Sequence, residues 1–199
     1  AMKEGVRVRV LSSFVDWDAD PEAGTLIVGE EELDMERQLI TGIAADKNEA
    51  KITLTDIKDR PGAVASIFTP LADANINVDM IVQNIAHSTE ATDVTFTVPK
   101  AELARALDVL EREKQHIGYD RLMYDPHVTK VSVVGVGMRS HAGVAAQMFK
   151  TLGDRGINIM AITTSEIKVS VVIGADYTEL AVRVLHTAYG LDAPDAPGA

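Results

Sequence analysis

The chain has 199 residues, 46% of them hydrophobic, and its 19 basic and 30 acidic side chains give a net charge of -11. This length allows one large domain or two small ones, and the acidic excess repels the phosphate backbone of nucleic acid. Because cysteine is absent, disulfides, a thiolate nucleophile and a cysteine-ligated metal are excluded. No apolar run approaches the roughly 20 residues of a membrane span, and no signal peptide opens the chain. We therefore expect a cytoplasmic protein that binds neither membranes nor nucleic acid.

Residues 1–38 form a segment that is too small to be a domain of its own. Two alternating apolar stretches, VRVRVL and GTLIV, predict short strands on either side of the turn DADPEAG. The acidic run Glu30–Glu32 then leads into a predicted linker. The next stretch, LITGIAAD, begins at Leu39 and is typical of another strand.

The rest of the chain contains a duplication whose two copies begin at Lys51 and Lys130. Gly62 and Asn77 of the first copy recur in the second at one offset (143 − 62 = 81 and 158 − 77 = 81). In each copy a β-branched strand is followed by a loop, a helix, two more strands and a second helix. The order β-α-β-β-α predicts an α+β fold of two ferredoxin-like domains.

The two copies differ at their ends. The first gains a fourth strand from about Tyr119 to Tyr124, which Asp125-Pro126 should end, whereas the second runs into the Pro/Gly/Ala tail 191–199. A sheet without its fourth strand leaves an unpaired edge, so we predict that Ile40–Ala45 completes the second domain. The first domain would then be inserted into the second, with boundaries at 50–126 for the first and at 39–49 plus 127–190 for the second.

The loop DIKDRPGAV is the most informative segment for chemistry. Pro61 suits the first helical position and Asp59 the capping position, which would leave the N–H groups of Gly62, Ala63 and Val64 without helical partners. Such a helix start attracts a carboxylate, and glycine allows close approach to the backbone. Ordinary helix capping is the alternative interpretation.

The segment INVDMIVQN places polar side chains on a strand that is otherwise apolar. Asp79 and Gln83 should share one face, because residues i and i+4 of a strand do. Asp79 is an acceptor for an ammonium group, so the helix start and this strand together predict a pocket for a zwitterion. The alternative is that these side chains simply face water.

Other chemistries have little support in the sequence. The loop GVGMRSHAG has the wrong glycine spacing for a dinucleotide site, and a basic cluster is missing. The five histidines show no metal-ligand spacing, and no catalytic motif of the P-loop, HExxH or GxSxG type occurs.

Five segments carry a resemblance to a known family: DRPGAVASIF, LADANINVDMIVQN, TDVTFTV, LMYDPHVTKVSVVGVGMRSHAGV and INIMAITTSEIKVSVVI. Together they resemble the paired ACT domains at the C-terminus of bacterial aspartate kinases. Residues 1–38 resemble the last strands of the amino-acid kinase domain of that family. The resemblance implies a regulatory fragment or short regulatory subunit that is not an enzyme on its own. It would need no cofactor, because ATP and Mg²⁺ belong to the kinase domain or catalytic subunit.

The resemblance also implies that threonine and lysine bind as feedback inhibitors, between the first domain of one chain and the second domain of its partner in a homodimer. Carried over by position, the threonine pocket consists of Asp59, Gly62, Ala63, Val64, Gln83, Asn158 and Ile159. The corresponding lysine pocket consists of Asp79, Ala145, Ser165 and Glu166. Ala145 departs from lysine-sensitive members of the family that have a hydroxyl at this position.

Two other interpretations remain open. A module that dimerises through ACT domains without binding a ligand would have the same fold, although the polar residues of both pockets are present. A chain that is itself catalytic is opposed by the missing motifs.

Overall fold

The structure is a computed structural model of the chain, and it describes residues 8–11, 25–27, 40–85, 91–135 and 143–192. The chain divides into two compact units, Ala1–Leu39 and Ile40–Ala199. In the first unit, β1 (Val8–Val10) and β2 (Thr25–Ile27) form an antiparallel pair. Both predicted strands of this segment are therefore present. The predicted linker before residue 39 and most of the predicted tail, from residue 193, lie outside the described residues.

The second unit contains the duplicated domains, and its helices and strands alternate as the repeat predicts. The elements are β3 (Ile40–Lys58), α1 (Ala63–Asp73), β4 (Asp79–Ile85), β5 (Ala91–Pro99), α2 (Leu103–Arg112), α3 (Lys114–Ile117), β6 (Arg121–Gly135), α4 (Gly143–Gly153), β7 (Ile159–Thr164), β8 (Lys168–Gly174) and α5 (Thr178–Ala188). None of the helices in the described part of the chain is long and apolar enough to cross a bilayer.

Two long strands, β3 and β6, lie at the centre of a six-stranded antiparallel sheet with the order β4-β5-β3-β6-β8-β7. The first part of β3, Ile40–Asp46, pairs with Lys130–Gly135, and its second part, Glu49–Thr55, pairs with Arg121–Val128. On the outer sides, β5 pairs with the second part of β3, and β8 pairs with the second part of β6. Each central strand thus serves both domains. The prediction that Ile40–Ala45 completes the sheet of the second domain is confirmed.

The prediction that Asp125-Pro126 ends a strand is wrong, because β6 continues through this dipeptide to Gly135. The register explains how. Glu49 lies opposite Val128 and Lys51 opposite Asp125, so β6 has one residue more than β3 over this stretch. Pro126 therefore lies in a bulge, where no ladder hydrogen bond needs its missing N–H.

The two domains have cores of the same construction. One face of α1 and α2 packs on the first half of the sheet, and one face of α4 and α5 on the second half. Fully buried side chains in the two domains include Ile52, Leu54, Ile67, Leu71, Phe96 and Leu110 in the first, and Val131, Val133, Met148, Leu152, Val171 and Leu185 in the second.

Both first helices also end in the same way, as predicted. Asn75 and Gly156 adopt left-handed conformations with φ of 54° and 68°. In each case the next residue, Ile76 or Ile157, donates its N–H to the carbonyl five residues back, at 2.9 and 3.0 Å. These hydrogen bonds satisfy helix-end carbonyls, and their recurrence in both domains supports the duplication.

Candidate functional site

The loop before α1 forms a turn rather than the first turn of the helix. Gly62 has φ 91° and ψ -7°, and the N–H of Ala63 donates to the carbonyl of Arg60 at 3.1 Å. This geometry, with Pro61 and Gly62 at the two central positions, is that of a type II turn. The prediction that Pro61 is the first helical residue is therefore wrong: a left-handed glycine cannot continue a helix, and α1 begins at Ala63.

The helix start nevertheless offers donors. Among the described residues no side chain caps α1, so Asp59 does not have the predicted capping role. The predicted availability of the Ala63 N–H is also wrong, because the turn uses it. Within the described hydrogen bonds, however, none involves the N–H of Val64 or Ala65. These two groups and the positive end of the helix dipole remain available to a carboxylate.

The turn and α1 line a pocket with a volume of about 560 Å³, and Gln83 of β4 reaches it from the sheet. Its lining residues include five of the predicted site residues, namely Asp59, Gly62, Ala63, Val64 and Gln83. Arg60, which is not among the predicted site residues, also lines this pocket. The signal was its place in the same loop, beside the predicted carboxylate site. The pocket thus combines backbone donors, a guanidinium, a carboxylate and an amide.

Asp79 and Gln83 lie on opposite faces of β4, so the prediction that they share a face is wrong. Asp79 lies opposite Thr97 and Val82 opposite Thr95, which means that β4 contains one extra residue between them. This bulge reverses the alternation of side chains along the strand. Gln83 consequently reaches the pocket at α1, whereas Asp79 points to the other face.

Asp79 contacts the second domain. Its Oδ2 accepts a hydrogen bond from Nζ of Lys130 at 2.7 Å, and its Oδ1 accepts one from the N–H of Met80 at 2.8 Å. Lys130 also donates to Oε1 of Glu49 at 2.5 Å and lies 3.7 Å from a carboxylate oxygen of Asp46. One ammonium group therefore contacts three carboxylates. This cluster joins residues that are 51 and 81 positions apart in the chain, so no local sequence pattern indicates it.

The contacts within this cluster shift the pKa values of Asp79 and Lys130. The hydrogen bond from Lys130 lowers the pKa of Asp79, and burial opposes this effect without cancelling it. Burial alone would lower the pKa of Lys130, but hydrogen bonds to Asp79 and Glu49 outweigh it and hold that pKa above its ordinary value. Both groups are therefore charged at neutral pH.

The remaining predicted site residues lie on other elements. Ile159 begins β7 and Asn158 immediately precedes it, Ala145 lies in α4, and Ser165 and Glu166 lie between β7 and β8. Within this chain, the lining of the pocket at α1 does not include Asn158 or Ile159. In the described part of the chain, no group of three or more His, Asp or Glu side chains is arranged to hold a metal ion.

Comparison with known proteins explains this architecture. Two family models, both described as ACT domain, match residues 51–115 and 131–189. An aspartate kinase of Pseudomonas putida is 50% identical over 198 residues, which are 100% of this chain and 47% of that protein. The chain thus spans about half the length of the curated relatives it matches.

Two solved structures match over nearly their whole length. A chain in a crystal structure of aspartokinase alpha and beta subunits is 50% identical with a TM-score of 0.71, and 76% of this chain covers 99% of it. The regulatory subunit of aspartate kinase from Thermus thermophilus, in a ligand-free form, is 40% identical with a TM-score of 0.72 and the same coverage. The chain belongs to the aspartate kinase family. It contains the regulatory region of an aspartate kinase, with two ACT domains of ferredoxin-like α+β fold.

Proposed function

We propose that this chain is an allosteric module that binds threonine in the pocket between the loop before α1 and β4, and so regulates an aspartate kinase. The observation that supports this proposal most directly is the composition of the pocket at α1, where helix-end donors lie beside Asp59 and Gln83. An amino acid needs donors for its carboxylate and acceptors for its ammonium, and this pocket contains both.

The groups of the pocket have distinct roles in this proposal. The free N–H groups of Val64 and Ala65, with the guanidinium of Arg60, bind the α-carboxylate. Asp59 and the amide oxygen of Gln83 accept hydrogen bonds from the ammonium. Gly62 has no side chain, so the ligand can approach its backbone closely. Its φ of 91° would strain any other residue at this position.

A homodimer would complete this pocket. The strands β4 and β7 are the two terminal strands of the sheet. Exposed isoleucines lie at equivalent positions of the repeat on the two strands, Ile81 at 48% and Ile162 at 42%. Edge strands with exposed apolar side chains favour pairing with another chain. Pairing of β4 with β7 of a partner would bring the partner's Asn158 and Ile159 to the pocket.

A second pocket for lysine would use Asp79 with Ala145, Ser165 and Glu166. Two features weaken it relative to the threonine pocket. Asp79 already accepts a hydrogen bond from the ammonium of Lys130. Ala145 has no hydroxyl, and one hydrogen bond to a ligand is worth about 0.5–1.5 kcal/mol.

The effect on catalysis would follow from linkage between sites. Threonine bound across the dimer interface favours one arrangement of the ACT domains, and the kinase domain or catalytic subunit senses that arrangement. ATP, Mg²⁺ and the phosphorylation of aspartate belong to that kinase part, in the cytoplasm.

Calorimetry of the chain with threonine and with lysine tests the proposal. We expect threonine to bind, and Gln83→Ala to weaken it about tenfold through the loss of one ligand hydrogen bond. Asn84→Ala is the matched control, because Asn84 is an exposed neighbour on the same strand and does not line the pocket. No binding of either amino acid at millimolar concentration would refute the effector role.

A further inference from the structure

The start of β4 has a strained backbone. Met80 has φ 46°, in the left-handed region that an unbranched residue other than glycine rarely adopts. It lies inside the bulge between Asp79 and Val82, where the register against β5 skips one residue. Such a conformation persists only when the surrounding contacts hold it in place.

Contacts from the second domain hold this bulge. The side chain of Met80 is buried in a cluster with Val128 and Val172, and Met160 packs against the same cluster. Asp79 accepts the hydrogen bond of Lys130 on one carboxylate oxygen and that of the Met80 N–H on the other. The first two residues of β4 are therefore attached to the second domain.

Lys130 is itself held firmly. Its side chain is only 14% exposed, and its partner Glu49 is 6% exposed, at the point where β3 passes from one domain to the other. The ammonium group of Lys130 donates hydrogen bonds to the carboxylates of Glu49 and Asp79. It fixes the bulge to the central strands.

The other end of β4 reaches the pocket at α1 through Gln83. Because side chains alternate along a strand, the extra residue in the bulge decides which face Gln83 takes. We propose that Lys130 is a positioning residue for the effector pocket: by holding Asp79 and the bulge, it keeps Gln83 in the register that reaches the ligand. This inference rests on the proposed function, since it names a residue that acts on the same pocket from the other domain.

The duplication supplies a counterpart for comparison. Lys51 occupies the position in the first domain that Lys130 has in the second, and its Nζ contacts the Sδ of Met160 at 3.9 Å. A thioether is a weak acceptor. Lys51 thus makes the equivalent contact between domains without an ion pair to any of the described residues, and it serves as the matched control.

The test measures threonine affinity by calorimetry for the 199-residue chain and its variants, at a temperature where circular dichroism shows each to be fully folded. We expect Lys130→Gln to weaken binding about tenfold, a usual size for coupling between linked positions. Lys130→Arg retains the charge and should restore affinity to within about threefold of the wild type. Lys51→Gln should change affinity by less than about twofold.

A second variant keeps the test decisive if Lys130→Gln does not fold. That substitution leaves Glu49 buried without its partner, whereas Glu49→Gln/Lys130→Gln removes both charges and still releases Asp79. If either variant is folded and binds threonine as tightly as the wild type does, the proposal is overturned. A structural role alone would lower stability without changing the affinity of the folded chain.

Hydrogen exchange separates this inference from the proposed function, because it needs no ligand. We expect the backbone amides of residues 81–85 to exchange about tenfold faster in Lys130→Gln and in Glu49→Gln/Lys130→Gln, with exchange in α5 unchanged. If the wild type binds no threonine, the proposed function is wrong and the exchange result alone decides the inference. Unchanged exchange in β4 would overturn it.

Discussion

Each ACT domain contacts the other through the lysine of its first strand, but the two contacts differ in charge. Lys130 of the second domain reaches the carboxylate of Asp79 at 2.7 Å, whereas Lys51 of the first reaches the thioether of Met160 at 3.9 Å. Asp79 and Met160 are equivalent in the repeat (160 − 79 = 81). Duplication has thus preserved a lysine contact between domains, and among the described residues only that of Lys130 is an ion pair. The two edge strands are consequently not equivalent.

The largest expected effect tests this inequality directly. Lys130→Met leaves Glu49 buried without a partner, and breaking such a pair costs about 3–5 kcal/mol. Lys51 has no ion pair within the described part of the chain, so the cost of Lys51→Met should stay below about 1 kcal/mol. Urea unfolding of the two variants measures both values. Equal losses of stability would show that the two lysines are equivalent after all.

The cores of the two domains should lose similar amounts of stability on truncation, even though the lysine contacts between the domains differ. Ile67 and Met148 are equivalent positions of the repeat, and both are fully buried. Truncation of either to alanine should lower the free energy of unfolding by about 2–5 kcal/mol. Because β3 and β6 serve both domains, we expect one unfolding transition in each variant, seen by calorimetry and circular dichroism together. Two separated transitions would contradict the shared sheet.

Acidification should weaken the contact between Lys130 and Asp79 but not the contact between Lys51 and Met160. The pKa of Asp79 lies below its ordinary value of 3.8, so its contribution to stability is present above that pH and is lost as the pH falls through the lowered pKa. At 54% exposure of its side chain, this contribution is expected to be about 1 kcal/mol. Asp79→Asn should therefore lower the urea midpoint more at neutral pH than at acidic pH, where the wild-type carboxylate also loses its charge.

The counterpart of this experiment is Met160→Leu, which alters no titratable group. Its effect on the urea midpoint should be the same at both pH values. If Met160→Leu showed a pH dependence as large as that of Asp79→Asn, the pH dependence could not be attributed to the carboxylate of Asp79.

The smallest effect comes from making the contacts alike. Met160→Glu places a carboxylate near Lys51, and an ion pair of this kind is worth about 0.2–1 kcal/mol. A double-mutant cycle with Lys51→Met isolates this pairwise energy from the loss of the methionine. The same cycle on the natural Lys51 and Met160, with Met160→Leu, should give a coupling close to zero.

The order of helices and strands could be predicted from the sequence, and so could the strand before the first domain that completes the sheet of the second. Helical and alternating patterns are local, and the duplication allowed Ile40–Ala45 to be assigned to the domain that lacked a strand. The ends of α1 and α4 were predictable for the same reason, since Asn75 and Gly156 carry their preference for left-handed backbone themselves.

What could not be predicted depends on partners distant in the chain. The bulges at Pro126 and Met80 exist only relative to the strands opposite them, so the local pattern gave the wrong end for one strand and the wrong face for Asp79. The Pro61-Gly62 pair fits both a helix start and a type II turn by composition, and only the backbone distinguishes them. The Lys130 cluster unites residues from three strands and has no signal in any one of them.

The shared central strands also set the order in which the molecule can assemble during synthesis. Ile40 pairs with Gly135, which is synthesised nearly a hundred residues after it. At about 5–20 residues per second, this strand waits on the order of ten seconds for its partner. All strands of the inserted domain, including its part of β6 up to Val128, are synthesised before Gly135. The second domain therefore closes last, around a framework that the first has already built.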